Sequence, residues 1–281
     1  MSPGALPQAV GGGDISDAWR VDGPAAAVFL KTGPAEFREI FDAEVDGLLA
    51  LAGSGAIRVP EVLGTGDTGP LAWLALEWLE FQGSTPATDA ALGQQLARMH
   101  RHTYEHFGWH RDNRIGATPQ RNATSGDWTD FYAEQRLGFQ LRTAARYGYG
   151  GELQELGAAL IESLPMLFAE HRPEASLLHG DLWGGNHAVT DGQPVLFDPA
   201  VYAGDRETDL AMTRLFGGFS PGFYRAYEQE WPLPAGHEQR VGIYQLYHVL
   251  NHLNLFGQSY LGRSLALIRE TLATIPGSSS P

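Results

Sequence analysis

Three oxygen-bearing side chains stand at fixed spacing between Ser176 and Asp198: Asp181, then Asn186 five residues on, then Asp198 twelve further. One apolar run leads into His179-Gly180-Asp181, and a second leads into Asp198. Between them, Asp191-Gly192 is a two-residue hairpin signal flanked by His187–Thr190 and Pro194–Phe197. The expected shape is a short strand, a polar loop and a tight hairpin that returns Asp198 toward that loop. Such a shape suits phosphoryl transfer, in which a protein positions a hydroxyl and neutralises phosphate charge. Asp181 is placed to accept the hydroxyl proton. Asn186 and Asp198 offer hard oxygen ligands of the kind Mg²⁺ takes beside phosphate and water. Singly, each residue is an ordinary turn former. Their joint spacing, with an apolar run before each aspartate, makes that reading a poor account of all three.

The elements that must serve this stretch lie on either side of it. Gly11-Gly12-Gly13-Asp14-Ile15-Ser16 is a glycine run whose backbone N–H groups can approach phosphate, with Gly12, Gly13 and Ser16 as candidate contacts; a flexible hairpin is the competing reading. Ala25 to Lys31 reads as a buried strand ending in lysine. Pro34 to Leu51 has helical spacing, with Phe37, Phe41, Val45 and Leu48 on one stripe and Glu44 beside it. A strand lysine paired with a helix glutamate is a known way of holding ATP phosphates, so Lys31 and Glu44 are expected to meet. Val59 to Gly64 and Leu71 to Leu79 read as strands, the second leading to a connector in which Glu77, Trp78 and Leu79 offer backbone to an adenine edge. The turn-rich Phe81 to Pro86 divides an N-lobe, residues 1–80, from a C-lobe, residues 81–281.

Beyond that boundary the pattern turns helical. Asp89 is expected to cap a helix carrying Leu92, Leu96 and Met99, and Phe107 to Gly126 to form a long ordered loop. Helices are expected from Asp127, over Leu153–Phe168, Asp205–Leu215 and His237–Phe256, before a frayed end at Gly277–Pro281. The formal charge is −14 and there is no cysteine. Nucleic-acid backbones and anionic membranes are therefore poor partners, and disulfide or thiolate chemistry is excluded. Met1 to Val10 lacks the basic start and apolar core of a signal peptide, and no apolar window reaches spanning length, so a soluble cytoplasmic protein is expected.

Taken together, the motifs resemble those of the fructosamine/ketosamine kinases, relatives of the aminoglycoside and choline kinases in the protein-kinase-like superfamily. The likeness is carried by Gly11–Ser16, Phe29–Lys31, Phe107–Trp109, His179–Asn186, Asp198–Met212 and Tyr247–Gly257. Asp198-Pro199-Ala200 in place of the D-F-G of protein kinases points to the small-molecule branch. The resemblance implies an α+β, two-lobed fold, with a small β-rich N-lobe and a larger, mainly helical C-lobe. It also implies ATP- and Mg²⁺-dependent phosphorylation of the 3-hydroxyl of a free or protein-borne ketosamine; a related kinase acting on an aminoglycoside, choline or similar alcohol is the alternative, and a non-catalytic nucleotide-binding module a third reading. Phosphate on carbon 3 is a leaving group β to a carbon that can lose a proton next to the carbonyl. Elimination of that phosphate, followed by hydrolysis of the imine it leaves, would free the amine, which amounts to deglycation.

By the same resemblance Asp181 is the base, Asn186 and Asp198 bind Mg²⁺, Lys31 holds phosphate and Glu44 orients it. Trp183, Trp109 and His179 are the candidates for the sugar side, with core packing as the competing reading of the two tryptophans. Asp209 is expected to hydrogen-bond the backbone of the catalytic loop. This chain departs from many relatives in carrying Gly184 where they have serine, and from several in carrying Asp14 where they have cysteine.

Overall fold

The computed structural model describes residues 6–11 and 16–275. Gly12, Gly13, Asp14 and the Gly277–Pro281 tail lie outside the described residues. The chain begins with β1 (Gln8–Ala9), β2 (Asp17–Asp22) and β3 (Ala27–Pro34), then α1 (Arg38–Gly53), β4 (Val62–Asp67) and β5 (Leu71–Glu77). The five strands form one antiparallel sheet in the order β1-β2-β3-β5-β4. The lysine strand does not stop at Lys31. It continues to Pro34 because β5 pairs with it as far as Pro34↔Leu71. The stripe expected on α1 buries Phe41 and Leu48 against Ala72, Leu74 and Leu76, which gives this sheet its own small core.

The rest is mainly helical. In order it comprises α2 (Pro86–His100), β6 (Thr103–Tyr104), β7 (Asn113–Ile115), β8 (Thr118–Gln120), α3 (Trp128–Phe131), α4 (Phe139–Arg146), α5 (Glu152–Leu167), β9 (Ala175–Leu178), β10 (His187–Thr190), β11 (Gln193–Leu196), β12 (Tyr202–Gly204), α6 (Glu207–Leu215), α7 (Pro221–Glu230), α8 (His237–Phe256) and α9 (Leu261–Thr274). Asp89 does not cap α2. Thr85 does, in a reciprocal capping box with Thr88, and Pro86 occupies the first turn, where its missing N–H costs nothing. The segment expected as a loop from Phe107 carries the β7–β8 hairpin. Asp127 caps α3 as its position suggests, accepting from Asp130 N–H at 3.0 Å. Between α3 and α4 the helix widens into a π turn over Tyr132–Gly138. There Arg136 is fully buried, 3.9 Å above the Tyr202 ring, and donates to Arg121 O and to Asn122 Oδ1.

Asp205 precedes α6 rather than opening it, and accepts from Glu207 N–H at 3.0 Å. Helices α7 and α9 pack on α2 and α8, and Gly93 of α2 allows α7 to approach so closely that a Cβ there would lie 2.2 Å from Phe223 O. Tyr132, Tyr202, Tyr227, Tyr244 and Phe131 are among the largest fully buried side chains of this part. Among the described residues no helix is long and apolar enough to cross a membrane.

Candidate active site

A cleft of about 700 Å³ lies between the sheet and the helical part, lined from one side by Phe29, Lys31 and Glu44 and from the other by Asp181, Asn186 and Asp198. Strand β9 feeds the loop that carries Asp181. At its start Gly180 has φ +82°, and a Cβ there would stand 2.0 Å from Ala200 O, so no side chain fits. The loop backbone is held by Asp209 of α6, whose two carboxylate oxygens accept from His179 N–H at 2.7 Å and Gly180 N–H at 2.9 Å. Burial alone would raise the Asp209 carboxyl, but hydrogen bonding and charge from His100, with His179 and Gly180 N–H, hold it below the usual aspartate range.

His179 is fully buried, and burial pushes its imidazole below the ordinary histidine range, so it is neutral near pH 7. Its Nε2 lies 3.0 Å from Phe197 O, which assigns the proton to that nitrogen, and Nδ1 accepts from Asp181 N–H at 3.3 Å. His179 does not line the cleft, which corrects its expected place on the sugar side. It ties the residue before Asp198 to the backbone of Asp181 instead. Asn186 Nδ2 donates to Asp181 O at 2.9 Å and to Asp181 Oδ2 at 3.3 Å. The amide oxygen is then the Asn186 atom left to bind a cation.

Strands β10 and β11 form the expected hairpin in register His187↔Leu196 to Thr190↔Gln193. Asp191 and Gly192 both take positive φ, +51° and +69°, as a tight two-residue turn of this hand requires. The hairpin delivers Asp198 in a left-handed conformation, φ +54°, where its carboxylate meets Lys31 Nζ at 2.6 Å. The same Nζ lies 2.7 Å from Glu44 Oε1. Burial would lower the Lys31 ammonium, but the charges of Glu44 and Asp198 outweigh it and keep the group above the ordinary lysine range.

Ser16, Glu77, Trp78 and Leu79 also line the cleft. The Glu77 carboxylate is taken by Arg58 at 2.8 Å, and Arg58 reaches on to Asp191 of the hairpin at 3.0 Å. Trp183 lines the cleft and is 39 % exposed. Trp109 is buried and lies outside the cleft lining, its Nε1 donating to Asp46 at 2.7 Å, so its expected place on the sugar wall is corrected to packing. Gly184 has room: a Cβ there meets nothing nearer than Gly217 O at 3.4 Å, so serine fits at this position. Sequence reasoning missed Arg58, Phe197 and Asp46. Nothing in their local spacing marks them, since each owes its place to a residue distant in the chain.

The fructosamine kinase family model matches residues 5–274. A probable ketoamine kinase of Synechocystis is 41 % identical, covering 94 % of this chain and 90 % of its own. The chloroplastic protein-ribulosamine 3-kinase of Arabidopsis thaliana is also 41 % identical, over 94 % of this chain and 81 % of its own. A putative fructosamine-3-kinase from Haemophilus somnus superposes with a TM-score of 0.88 at 30 % identity, covering 95 % of this chain and 91 % of that one. Aminoglycoside phosphotransferase APH(4)-Ia, in complex with AMP-PNP and hygromycin B, shares the fold at a TM-score of 0.63 and 18 % identity, over 94 % of this chain and 93 % of that one. With a kinase-like fold, a cleft that gathers Lys31, Glu44, Asp181, Asn186 and Asp198, and a family match along nearly its whole length, the chain belongs to the fructosamine kinase family.

Proposed function

We propose that this protein transfers the terminal phosphoryl group of ATP to the 3-hydroxyl of a ketosamine, free or protein-borne, with residues 1–80 as the nucleotide-binding lobe and residues 81–281 as the catalytic and acceptor-binding lobe. The observation that carries the reading is Lys31 Nζ, held at 2.7 Å by Glu44 and 2.6 Å by Asp198 on the cleft that Asp181 also lines. In this reading Asp181 accepts the proton of the attacking hydroxyl as the new O–P bond forms and the bond from the terminal phosphorus to the ADP oxygen breaks, releasing ADP. Lys31 offers its ammonium to phosphate oxygens, and Glu44 fixes the direction in which it points. Ser16, on the cleft lining, is a phosphate contact in this reading, and the backbone of Glu77, Trp78 and Leu79 meets the adenine edge. Trp183 presents a half-exposed ring to the apolar face of the sugar.

Asn186 and Asp198 are the residues that would hold Mg²⁺. An amide oxygen and a carboxylate, both hard donors on one cleft wall, fit that ion. When bound, the ion neutralises phosphate charge that an acidic protein cannot neutralise with Lys31 alone.

The test is phosphate transfer from ATP in Mg²⁺ buffer to ribulosyl-lysine, fructosyl-lysine and an erythrulosamine, beside an aminoglycoside and choline. The expected product is a ketosamine 3-phosphate, identified by phosphorus NMR and mass, followed by release of the free amine. Transfer to the aminoglycoside or choline with none to a ketosamine would replace this reading with the alternative.

A further inference from the structure

Helix α1 carries Glu44, and the ion pair with Lys31 depends on how that helix is rotated. Asp46 stands two residues further along, about 200° round an α-helix, and therefore on nearly the opposite face. That opposite face is gripped from the helical lobe. Trp109 Nε1 donates to Asp46 Oδ2 at 2.7 Å, His110 Nε2 lies 3.1 Å from Asp46 Oδ1, and Arg111 donates to Asp42 O at 3.3 Å. The Trp109 side chain is positioned from below as well. Gly108 exchanges two backbone hydrogen bonds of 2.8 Å with Ala203 of β12, and Tyr104 of β6 sets its ring edge-on to Trp109 at 5.2 Å. Gly108 must be glycine: its φ is +105°, and a Cβ would lie 2.7 Å from Asn122 O. Strands β6 and β12 flank β9, the strand that leads into the catalytic loop. One short path therefore runs from β9 through Trp109 and Asp46 to the back of the helix whose front holds Glu44 on Lys31.

We infer that Asp46 and Trp109 are positioning residues for nucleotide binding: the Trp109–Asp46 hydrogen bond holds α1 against the catalytic lobe so that Glu44 orients Lys31. The inference gives the Phe107-Gly108-Trp109 motif a task that its buried place allows and a sugar wall does not. It deepens the kinase reading and rests on it.

Affinity for Mg²⁺-AMP-PNP, measured by calorimetry, is the test, because it needs no acceptor and no turnover. Asp46→Ala and Trp109→Phe are each expected to weaken binding about tenfold, the scale of one lost charge-assisted hydrogen bond. Asp46→Asn keeps an acceptor for the indole N–H and is expected to stay within about twofold of the wild type. Acting through Glu44, Asp46→Ala should add less than about twofold in a Glu44→Gln background. Hydrogen exchange of the α1 amides should quicken in Trp109→Phe while the α2 and α8 amides stay unchanged. Undiminished affinity in both Asp46→Ala and Trp109→Phe, or full additivity with Glu44→Gln, would overturn the inference. Should Asp46→Ala not fold, Trp109→Phe carries the same decision. A wild type that binds the nucleotide but phosphorylates no ketosamine would instead count against the acceptor reading alone.

Discussion

The two walls of the cleft are built by different means. On the helical side the loop bearing Asp181 is fixed through its backbone: both oxygens of buried Asp209 take N–H groups, His179 bridges to Phe197, and Gly180 sits against Ala200 where no side chain fits. On the sheet side the Lys31 backbone is part of β3, but its ammonium is fixed by two side-chain carboxylates, one from α1 and one from across the cleft. The cores differ in the same sense. Five buried residues make the cluster under the sheet, whereas the helical part encloses tiers of tyrosine and phenylalanine. If Asp181 is the proton acceptor, as proposed, it must be placed to fractions of an ångström, and a packed core with backbone hydrogen bonds achieves that. In the proposed function the other wall meets the nucleotide, and there the Lys31 ammonium is held by two ion pairs.

If this contrast holds, substitutions on the two walls should separate in kind. Asp181→Asn should lower turnover by about 10²–10⁴-fold while Mg-ATP binding largely survives, as read by steady-state kinetics and calorimetry. Unchanged turnover would remove Asp181 from the mechanism. Lys31→Met should cut kcat/KM about 100-fold and weaken nucleotide binding as well. The same change leaves Glu44 buried without its cation, so adding Glu44→Gln should restore thermal stability without restoring activity. Asp209→Ala should leave two buried N–H groups unsatisfied, at about 1–3 kcal/mol each, and reduce kcat more than it raises KM for ATP. A loss confined to KM for ATP would break the proposed division of labour. Trp183→Ala is the mildest, raising KM for the ketosamine about 2–10-fold with KM for ATP unchanged.

Acid should attack the helical part first. Burial pushes His248 down to about 3 and lowers His179, so both are neutral when folded and take up protons more readily when unfolded. Their contribution to stability is complete above about pH 6.5 and falls as pH drops from there toward the depressed folded values. Asp209 is depressed as well, so its contribution is complete above about pH 4 and is lost as pH falls through its folded value. Denaturant midpoints measured from pH 7 to pH 4 should therefore decline in the wild type, and His248→Gln should flatten that decline. A wild-type stability that does not change over this range would contradict neutral buried histidines.

The stretch from Ser176 to Asp198 was legible because its signals are local. Asp191-Gly192 dictates a turn with two positive φ angles, the runs on either side supply strands, and the hairpin length alone brings Asp198 back toward Asp181. The helix carrying Glu44 announces itself through period, and α8 matches its expected limits at His237 and Phe256. The cap of α2 was misread because Asp89 and Thr85 are both good capping residues, and Pro86 favours the earlier one. Trp109 and His179 were misassigned for a related reason. Aromatic and imidazole side chains serve a sugar or a core equally well, and only burial decides between them.

Chain order and residue type thus determined which groups could do chemistry: a lysine at a strand, a glutamate on a helix, and two aspartates and an asparagine at loop spacing. Packing decided which of them meet. Lys31 and Asp198 are 167 residues apart, Trp109 and Asp46 are 63 apart, and the Asp209 carboxylate reaches His179 N–H across 30. Hydrophobic period and turn chemistry act over a few residues, so they leave a trace in the sequence. An ion pair or buried hydrogen bond between distant segments exists only once the chain has packed and brought those segments together.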